Sequence, residues 1–191
     1  MLYDVKPIQQ KLRNIHPNLE DQIKIEHIRL LKAKIIFPVR HSNWVSNMVR
    51  VRKKNGDIII CIGFRNLNKA CQKDDFPLPT MEQILQKVAG SELMSFLDGF
   101  SRYNKILVHL DDRLKTIFRI KWGTYPYQKM PFGLLNAGAT FQRAMDIAFK
   151  GLINKLVVIY LDDITVYSTK RSNHLHDLKK IFERYRSFGI S

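Results

Sequence analysis

The sequence predicts an α+β fold built on an antiparallel sheet. Short β-branched segments alternate with segments whose apolar residues recur at helical spacing. Two pairs of predicted strands are joined tightly, one pair across Asn55-Gly56 and the other across Asp162-Asp163, and short connections of this kind join antiparallel strands. Strands mixed with helices, with a hairpin towards each end of the chain, are typical of α+β folds.

Length and charge narrow the possible functions. The 191 residues correspond to one domain, or one domain divided into lobes. The net charge of +15 favours an anionic partner, with nucleic acid ahead of a membrane surface. The apolar runs are far shorter than the roughly 18 residues of a membrane span. The sequence shows no amphipathic helix with a basic face and an aromatic one, so no membrane partner is expected. Two cysteines are too few for a disulfide framework and fit a reducing, intracellular setting in cytoplasm or nucleus.

The first half of the chain is predicted to form an extended arm, a helix and a hairpin. Asn18 can cap a helix whose apolar face runs down to Pro38. Strands at residues 45–51 and 58–64 flank the Asn-Gly turn, whose tip is cationic. A second helix begins at a capping box formed by Thr80 and Gln83 and ends at Gly90. Its predicted inner face consists of Ile84, Leu85 and Val88.

The second half is predicted to alternate strands with two longer helices. A buried strand at residues 93–97 ends on Asp98, and strands at 116–122 and 125–130 flank Gly123. Asn136 can cap a helix over residues 137–152, and strands at 156–161 and 164–167 enclose the Asp162-Asp163 turn. Ser172 can cap the last helix, whose predicted inward side chains are Leu175, Leu178, Ile181, Phe182 and Tyr185.

Three aspartates are the candidate metal ligands. Asp162 and Asp163 are adjacent between two apolar strands, where one acid would serve a turn and two repel each other. Carboxylates are ligands that Mg²⁺ prefers, so the pair indicates either a turn or a cation site. Asp98 is either a strand-end cap or the third member of a cluster that holds two metals about 3.5–4 Å apart. Such a cluster supports in-line phosphoryl displacement, with one metal activating a 3′-hydroxyl and the other neutralising the triphosphate.

Tyr160-Leu161-Asp162-Asp163 resembles the Y-x-D-D signature of reverse transcriptases, and further blocks of that family occur in the same order along nearly the whole chain. Together they resemble the polymerase domain of gypsy-class long-terminal-repeat retrotransposons. The further blocks are Trp44-Val45-Ser46, Val51-Arg52-Lys53-Lys54-Asn55-Gly56, Phe64-Arg65-Asn66-Leu67-Asn68-Lys69, Lys73-Asp74-Asp75-Phe76-Pro77-Leu78-Pro79, Ser95-Phe96-Leu97-Asp98-Gly99-Phe100-Ser101, Lys115-Thr116, Met130-Pro131-Phe132-Gly133-Leu134 and Asn136-Ala137-Gly138-Ala139-Thr140-Phe141-Gln142-Arg143.

The resemblance implies a right-hand polymerase fold within a single domain. The fingers would comprise about residues 1–76 and 106–133, and the palm about 77–105 and 134–191, without a thumb. The implied activity is RNA-directed DNA polymerase, which transfers a nucleotide from dNTP to a primer 3′-hydroxyl with two Mg²⁺ ions, or Mn²⁺ as a substitute. Asp98, Asp162 and Asp163 match the family's catalytic, metal-binding carboxylates. The implied partners are an RNA or DNA template with its primer, dNTP, and the polyprotein's thumb, RNase H and integrase.

The resemblance also implies two groups of binding residues. The nucleotide-binding group is Gly99, Tyr103, Phe132, Gly133, Lys53 and Lys54. The group that would contact nucleic acid is Arg65, Gln142, Tyr160 and Leu161. Several of them have a structural alternative. Tyr103 is either a gate against the ribose 2′-hydroxyl or a core aromatic, and Gln142 faces either the template or the core. The alternatives are solvated surface for the lysines, an ion pair for Arg65 and simple packing for Leu161. Gly133 is expected to permit close backbone approach, and Phe141 to lie in the core.

Four departures from the family pattern weaken the implied activity. Ile59 stands where the family usually has a triphosphate-binding arginine, and isoleucine offers no bidentate phosphate contact. Gly63 replaces an aspartate, Arg102 a glycine and Lys105 a glutamine. The alternative is therefore a catalytically inactive retrotransposon remnant that only binds nucleic acid. Divalent-metal binding distinguishes the two, because only the polymerase requires it.

Overall fold

The structure is a computed structural model that describes residues 5–52, 58–98, 100–161 and 163–190. Residues 50, 52, 58, 98 and 100–102 are described by their backbone alone. The chain divides into two compact units, which we call unit 1 (Met1–Lys73 and Ile106–Leu135) and unit 2 (Asp74–Lys105 and Asn136–Ser191). The boundaries predicted for fingers and palm lie within three residues of these divisions.

Helices and strands alternate along both units. The helices in the described ranges are α1 (Pro17–Lys32), α2 (Arg65–Ala70), α3 (Met81–Val88), α4 (Leu110–Arg113), α5 (Ala137–Ala148) and α6 (His174–Ser187). The strands there are β1 (Ser46–Arg52), β2 (Ile58–Ile62), β3 (Leu93–Asp98), β4 (Phe118–Ile120), β5 (Gly123–Tyr125), β6 (Val157–Tyr160) and β7 (Asp163–Ser168). Across these ranges, we find no helix with the length and apolar character needed to cross a bilayer.

Unit 1 contains a four-stranded sheet in the order β2-β1-β4-β5. The predicted hairpin is present, with Met48 opposite Ile62 and Arg52 opposite Ile58. The pairing of β1 with β4 is parallel, which the prediction of an antiparallel sheet did not include. Ile60 and Ile62 are buried on one face of β2, and Phe118 of β4 is fully buried. The unit therefore rests on contacts between segments distant in sequence.

Unit 2 contains a three-stranded antiparallel sheet in the order β3-β7-β6. One face carries the buried side chains of Val157, Ile159, Ile164 and Val166, which share a face because alternate strand residues point the same way. On the other face Val88 of α3 packs with Val158 and Tyr167. The sheet is thus covered on one face and only partly covered on the other.

Several local predictions needed correction. Helix α1 is capped by His16, whose ring nitrogen accepts from the Asn18 amide, and not by Asn18. The capping box of α3 is confirmed, but Leu85 is exposed rather than inward. Asn136 precedes α5 as predicted, yet its side chain makes no capping hydrogen bond. It accepts from the Asp74 amide instead.

The last helix also differs from its prediction. Helix α6 is preceded by Asn173 rather than by Ser172 as its cap. Ile181 and Tyr185 are buried as predicted, whereas Leu175 and Phe182 are exposed. The side of the helix that is buried is set by the elements packed against it, and apolar spacing alone does not reveal them.

Candidate active site

Two of the three candidate aspartates lie where the strands of unit 2 end. Asp98, the last residue of β3, lies directly opposite Asp163, the first residue of β7. Tyr160 at the end of β6 is opposite Asp163 from the other side. Residues opposite each other in an antiparallel pair have Cα atoms about 4.5–5.5 Å apart. The register therefore brings two of the three predicted ligands together, and the third, Asp162, precedes Asp163 in the chain but lies outside the described residues.

Strand β3 differs from the predicted buried strand. It is an edge strand paired with β7, and its Phe96 side chain is 79% exposed. Asp163, predicted to lie in a turn, is instead an exposed strand residue. Asp98 ends the edge strand β3 and Asp163 begins the central strand β7, so the two residues share one end of the sheet.

The described side chains alone do not form a metal site. Across residues 5–52, 58–98, 100–161 and 163–190, no group of three His, Cys, Asp or Glu side chains is placed to hold a metal ion. The Asp98 side chain and all of Asp162 fall outside that search. The donor set suits a divalent cation, because the register places the backbone of Asp98 opposite Asp163 and carboxylates are ligands that Mg²⁺ prefers.

The turn between β6 and β7 is held by an amide from helix α5. Leu161 has a φ of 53°, in the left-handed region that leucine rarely adopts. The buried Gln142 side chain accepts a hydrogen bond from the Leu161 amide at 3.1 Å and donates one to the Ile159 carbonyl at 3.2 Å. In the structure the side chain of Gln142 has this intramolecular role, and its predicted contact with nucleic acid stays a prediction.

Tyr103 lies in the interior of unit 2. It is 4% exposed, and its ring stacks on Phe141 with centroids 4.6 Å apart. Phe141 is fully buried, so its predicted place in the core is confirmed. The packing of Tyr103 agrees with the core-aromatic alternative, and its function as a sugar gate stays a prediction.

The loop after Phe132 is fastened to helix α2 within unit 1. Asn68 donates to the Gly133 carbonyl at 2.7 Å and accepts from the Leu135 amide at 2.9 Å. Gly133 has a φ of 90°, and a Cβ there would meet only ordinary contacts at 3.8 Å. Its positive φ favours glycine, and the predicted close approach of its backbone to a nucleotide stays a prediction. Phe132 is 39% exposed.

Basic side chains cluster on unit 1. Exposed Arg65 lines a cavity of about 220 Å³ together with Arg13 and Lys69. Arg13 also lines a second cavity of about 520 Å³ with Arg119. Among the described residues Arg65 makes no ion pair, so the ion-pair alternative finds no support there. Lys53, Lys54 and Gly99 lie outside the described residues.

Ile59, one of the departures from the family pattern, lies on an apolar face of the hairpin. Ile59 lies opposite Val51, and Cys61 opposite Val49. Val49 and Val51 are 38% and 45% exposed, while Ile59 and Cys61 are half-buried. Burial raises the pKa of the Cys61 thiol. On this face of β1 and β2, the side chain at position 59 is aliphatic and carries no positive charge.

Sequence reasoning missed three supporting contacts. These are the Asn68 bonds to the 133–135 loop, the Gln142 bonds to the 159–161 turn, and the ion pair of Arg143 with Asp74 at 2.9 Å. Arg143 also lies 4.6 Å above the Phe76 ring. Each residue belongs to a block quoted for the family resemblance, and for Gln142 the available signal was a polar residue among the buried positions of α5.

Comparisons with known proteins agree with this geometry. The profile described as "Reverse transcriptase (RNA-dependent DNA polymerase)" matches residues 51–191. The Pol polyprotein of transposon gypsy from Drosophila melanogaster is 31% identical over 94% of this chain and 18% of its own length. That of transposon 412 from the same organism is 32% identical over 99% of this chain and 16% of its own length. The chain thus spans less than a fifth of these curated relatives.

Solved structures confirm the predicted polymerase fold. Native prototype foamy virus protease-reverse transcriptase superposes with a TM-score of 0.86 at 23% identity, over 96% of this chain and 24% of that one. A foamy viral protease-reverse transcriptase in complex with RNA/DNA hybrid gives a TM-score of 0.82 at 21% identity, over 95% and 24%. From the profile, the relatives and the fold together, the chain belongs to the reverse transcriptase (RNA-dependent DNA polymerase) family, among the Pol polyproteins of gypsy-like retrotransposons.

Proposed function

We propose that this chain supplies the fingers and palm of an RNA-directed DNA polymerase that adds deoxynucleotides to a primer. The observation that carries the proposal is the strand register that sets Asp98 opposite Asp163, next to Asp162 in the chain. Family membership supports the same reaction class. A structural neighbour described in complex with RNA/DNA hybrid supports a primer–template as the nucleic-acid partner.

The proposed reaction is an in-line nucleotidyl transfer. The primer 3′-oxygen forms a bond to the α-phosphorus of dNTP, the bond from that phosphorus to the α–β bridging oxygen breaks, and pyrophosphate leaves. The 3′-hydroxyl proton is lost as the new bond forms. Asp98, Asp162 and Asp163 would hold two Mg²⁺ ions, which when bound make the 3′-hydroxyl more acidic and neutralise the phosphate charge.

Other residues would bind and orient the substrates. The 132–135 loop, held by Asn68, would support the incoming nucleotide beside Phe132. The basic surface around Arg65, Arg13 and Lys69 would contact the template backbone, because phosphate contacts supply most sequence-independent affinity. The thumb, RNase H and integrase regions of a polyprotein are proposed as further partners of this chain.

A second candidate is a nucleic-acid-binding chain without catalysis. The specific observation in its favour is the apolar face that contains Ile59, Val51 and Val49. A triphosphate bound near this face would lack the bidentate guanidinium contact that the family usually provides, and an aliphatic side chain cannot replace it.

Primer extension distinguishes the two candidates. The assay uses an RNA template with a DNA primer, first in Mg²⁺ and then in Mn²⁺. Asp162→Asn is compared with Asp111→Asn, a matched charge change on an exposed aspartate of α4 in unit 1. We expect Asp162→Asn to abolish extension while RNA binding stays nearly intact, and Asp111→Asn to retain both.

Two results would contradict the polymerase proposal. If Asp162→Asn lost RNA binding together with its fold, the assignment of Asp162 as a metal ligand would fail. If the folded wild-type chain bound RNA but extended no primer, the non-catalytic candidate would be correct. Ile59→Arg and Arg102→Gly would then show which departure removed the activity, because each restores the residue that the family usually has.

A further inference from the structure

Two residues of helix α5, Gln142 and Gly138, face the same turn of unit 2 at residues 159–161. Gln142 is 3% exposed. Its Oε1 accepts from the Leu161 amide, and its Nε2 donates to the Ile159 carbonyl. Nε2 also donates to Asp146 Oδ1 at 3.1 Å, one helical turn further along. Both ends of this amide are therefore used within the protein.

Gly138 lies one turn before Gln142 and makes room for Leu161. A Cβ at position 138 would lie 2.9 Å from Leu161 Cδ2, closer than carbon atoms pack. Residues four apart on a helix share a face, so the gap at 138 and the amide at 142 face Leu161 together. The gap leaves room for the Leu161 side chain, and the Gln142 amide holds the Leu161 backbone.

Leu161 needs such support because its backbone is unfavourable. A φ of 53° places it in the left-handed region, where a residue with a Cβ is strained. A residue keeps a strained conformation only when the surrounding contacts hold it there. Such residues cluster at functional sites. Leu161 immediately precedes Asp162 and Asp163, so its conformation sets the direction in which the chain enters the carboxylate pair.

We propose that Gln142, together with Gly138, is a positioning residue that fixes the backbone of Leu161 and thereby the two carboxylates after it. The inference deepens the proposed polymerase function and rests on it. Gln142 acts through Leu161 and does not touch the substrate. Its burial and its engaged amide disfavour the alternative, in which it would contact nucleic acid.

The test uses Gln142→Met, which keeps the length of the side chain but removes its hydrogen bonds. Mn²⁺ affinity is measured by electron paramagnetic resonance without nucleotide or nucleic acid, and kcat and KM for primer–template by extension. We expect Mn²⁺ affinity and kcat to fall roughly tenfold to hundredfold, the range for residues that orient metal ligands. KM for primer–template should stay unchanged. Gln86→Met, on the exposed face of α3, is the matched control and should behave as wild type.

Two further variants keep the test decisive if Gln142→Met folds poorly. Gly138→Ala breaks no hydrogen bond but displaces the end of the Leu161 side chain, and should weaken Mn²⁺ binding in the same direction by a smaller factor. Leu161→Gly removes the left-handed strain, so Gln142→Met should cost less in a Leu161→Gly background than alone. Such non-additivity is the signature of residues that act together.

The outcomes separate this inference from the proposed function. Loss of Mn²⁺ affinity in Gln142→Met and Gly138→Ala, with KM unchanged, supports the positioning role. If both variants bind Mn²⁺ as wild type does, or raise only KM for primer–template, the positioning role is overturned while the polymerase proposal stands. If wild type itself binds no Mn²⁺ and extends no primer, the proposed function fails and the positioning role fails with it.

Discussion

At the scale of single residues, His27 of α1 is a buried histidine in an aromatic setting. It is 5% exposed, and its ring lies edge-on to Tyr125 with centroids 4.4 Å apart. In the described part of the chain, its Nε2 is buried without a hydrogen-bond partner. Burial lowers the pKa of His27 below its ordinary value of 6.5, because the charged ring cannot be solvated there.

This lowered pKa predicts acid sensitivity. The unfolded chain binds a proton at His27 before the folded chain does, so stability is lost as pH falls below about 6.5 and towards the lower pKa of the folded state. Within that window the uptake of one proton on unfolding lowers the free energy of unfolding by about 1.4 kcal/mol per pH unit. Urea unfolding should be measured at several pH values. The free energy of unfolding should fall less per pH unit in His27→Phe than in wild type. An unchanged slope would mean that other groups carry the acid sensitivity.

Tyr103 is the second residue with a specific prediction. Its ring is buried against Phe141, and the family resemblance implies that it excludes a ribose 2′-hydroxyl. If the gate operates, Tyr103→Val should raise the ratio of ribonucleotide to deoxyribonucleotide incorporation. The ratio is the readout because it does not depend on the fraction of folded protein. Tyr103→Phe keeps the ring and should leave the ratio low, whereas an unchanged ratio in Tyr103→Val would assign Tyr103 to the core alone.

At the scale of elements, two helices each hold a loop by one side-chain amide. Asn68 of α2 binds the 133–135 loop in unit 1, and Gln142 of α5 binds the 159–161 turn in unit 2. In both loops the held segment contains a residue with positive φ, Gly133 or Leu161. A donor and an acceptor on one side chain can satisfy two backbone groups that the loop leaves unpaired.

Asn68→Ala should therefore destabilise unit 1 and loosen the loop. It removes two exposed hydrogen bonds whose backbone partners water can reach, at a cost of about 0.5–1.5 kcal/mol in the free energy of unfolding. KM for dNTP should rise because Phe132 and Gly133 lose their support. Asn66→Ala, on the same helix, is the control for denaturant unfolding and for KM. Equal effects of the two variants would show that Asn68 has no special role.

At the scale of the whole molecule, the net charge of +15 sets the expected binding behaviour. Phosphate contacts release counterions, so RNA affinity should fall steeply as salt rises from about 50 to about 200 mM. Arg65→Gln should remove about one phosphate contact, and the slope of log Kd against log salt concentration should therefore fall by about one. Lys180→Gln, exposed on α6, carries the same charge change and should reduce it less. Equal reductions would indicate that charge alone, and not the surface around Arg65, determines binding.

Part of the fold was predictable because its signals are local. The capping box at Thr80 and Gln83 and the hairpin of β1 and β2 depend on residues a few positions apart. Helix α2, with six residues, was not predicted, since so short a helix shows too little periodicity. The exposure of Leu85 and Leu175 was also missed, because burial depends on which element covers each helix face.

The sequence by itself determined the family, the identities of the three candidate carboxylates and the α+β class, since these follow from residue types and their order. Only the tertiary structure decided that Asp98 lies opposite Asp163, that Gln142 binds the turn before Asp162, and that Asn68 binds the loop after Phe132. These contacts join residues far apart in the chain. Their partners are selected by strand register and by the need to satisfy buried polar groups, which take effect only once the chain has folded.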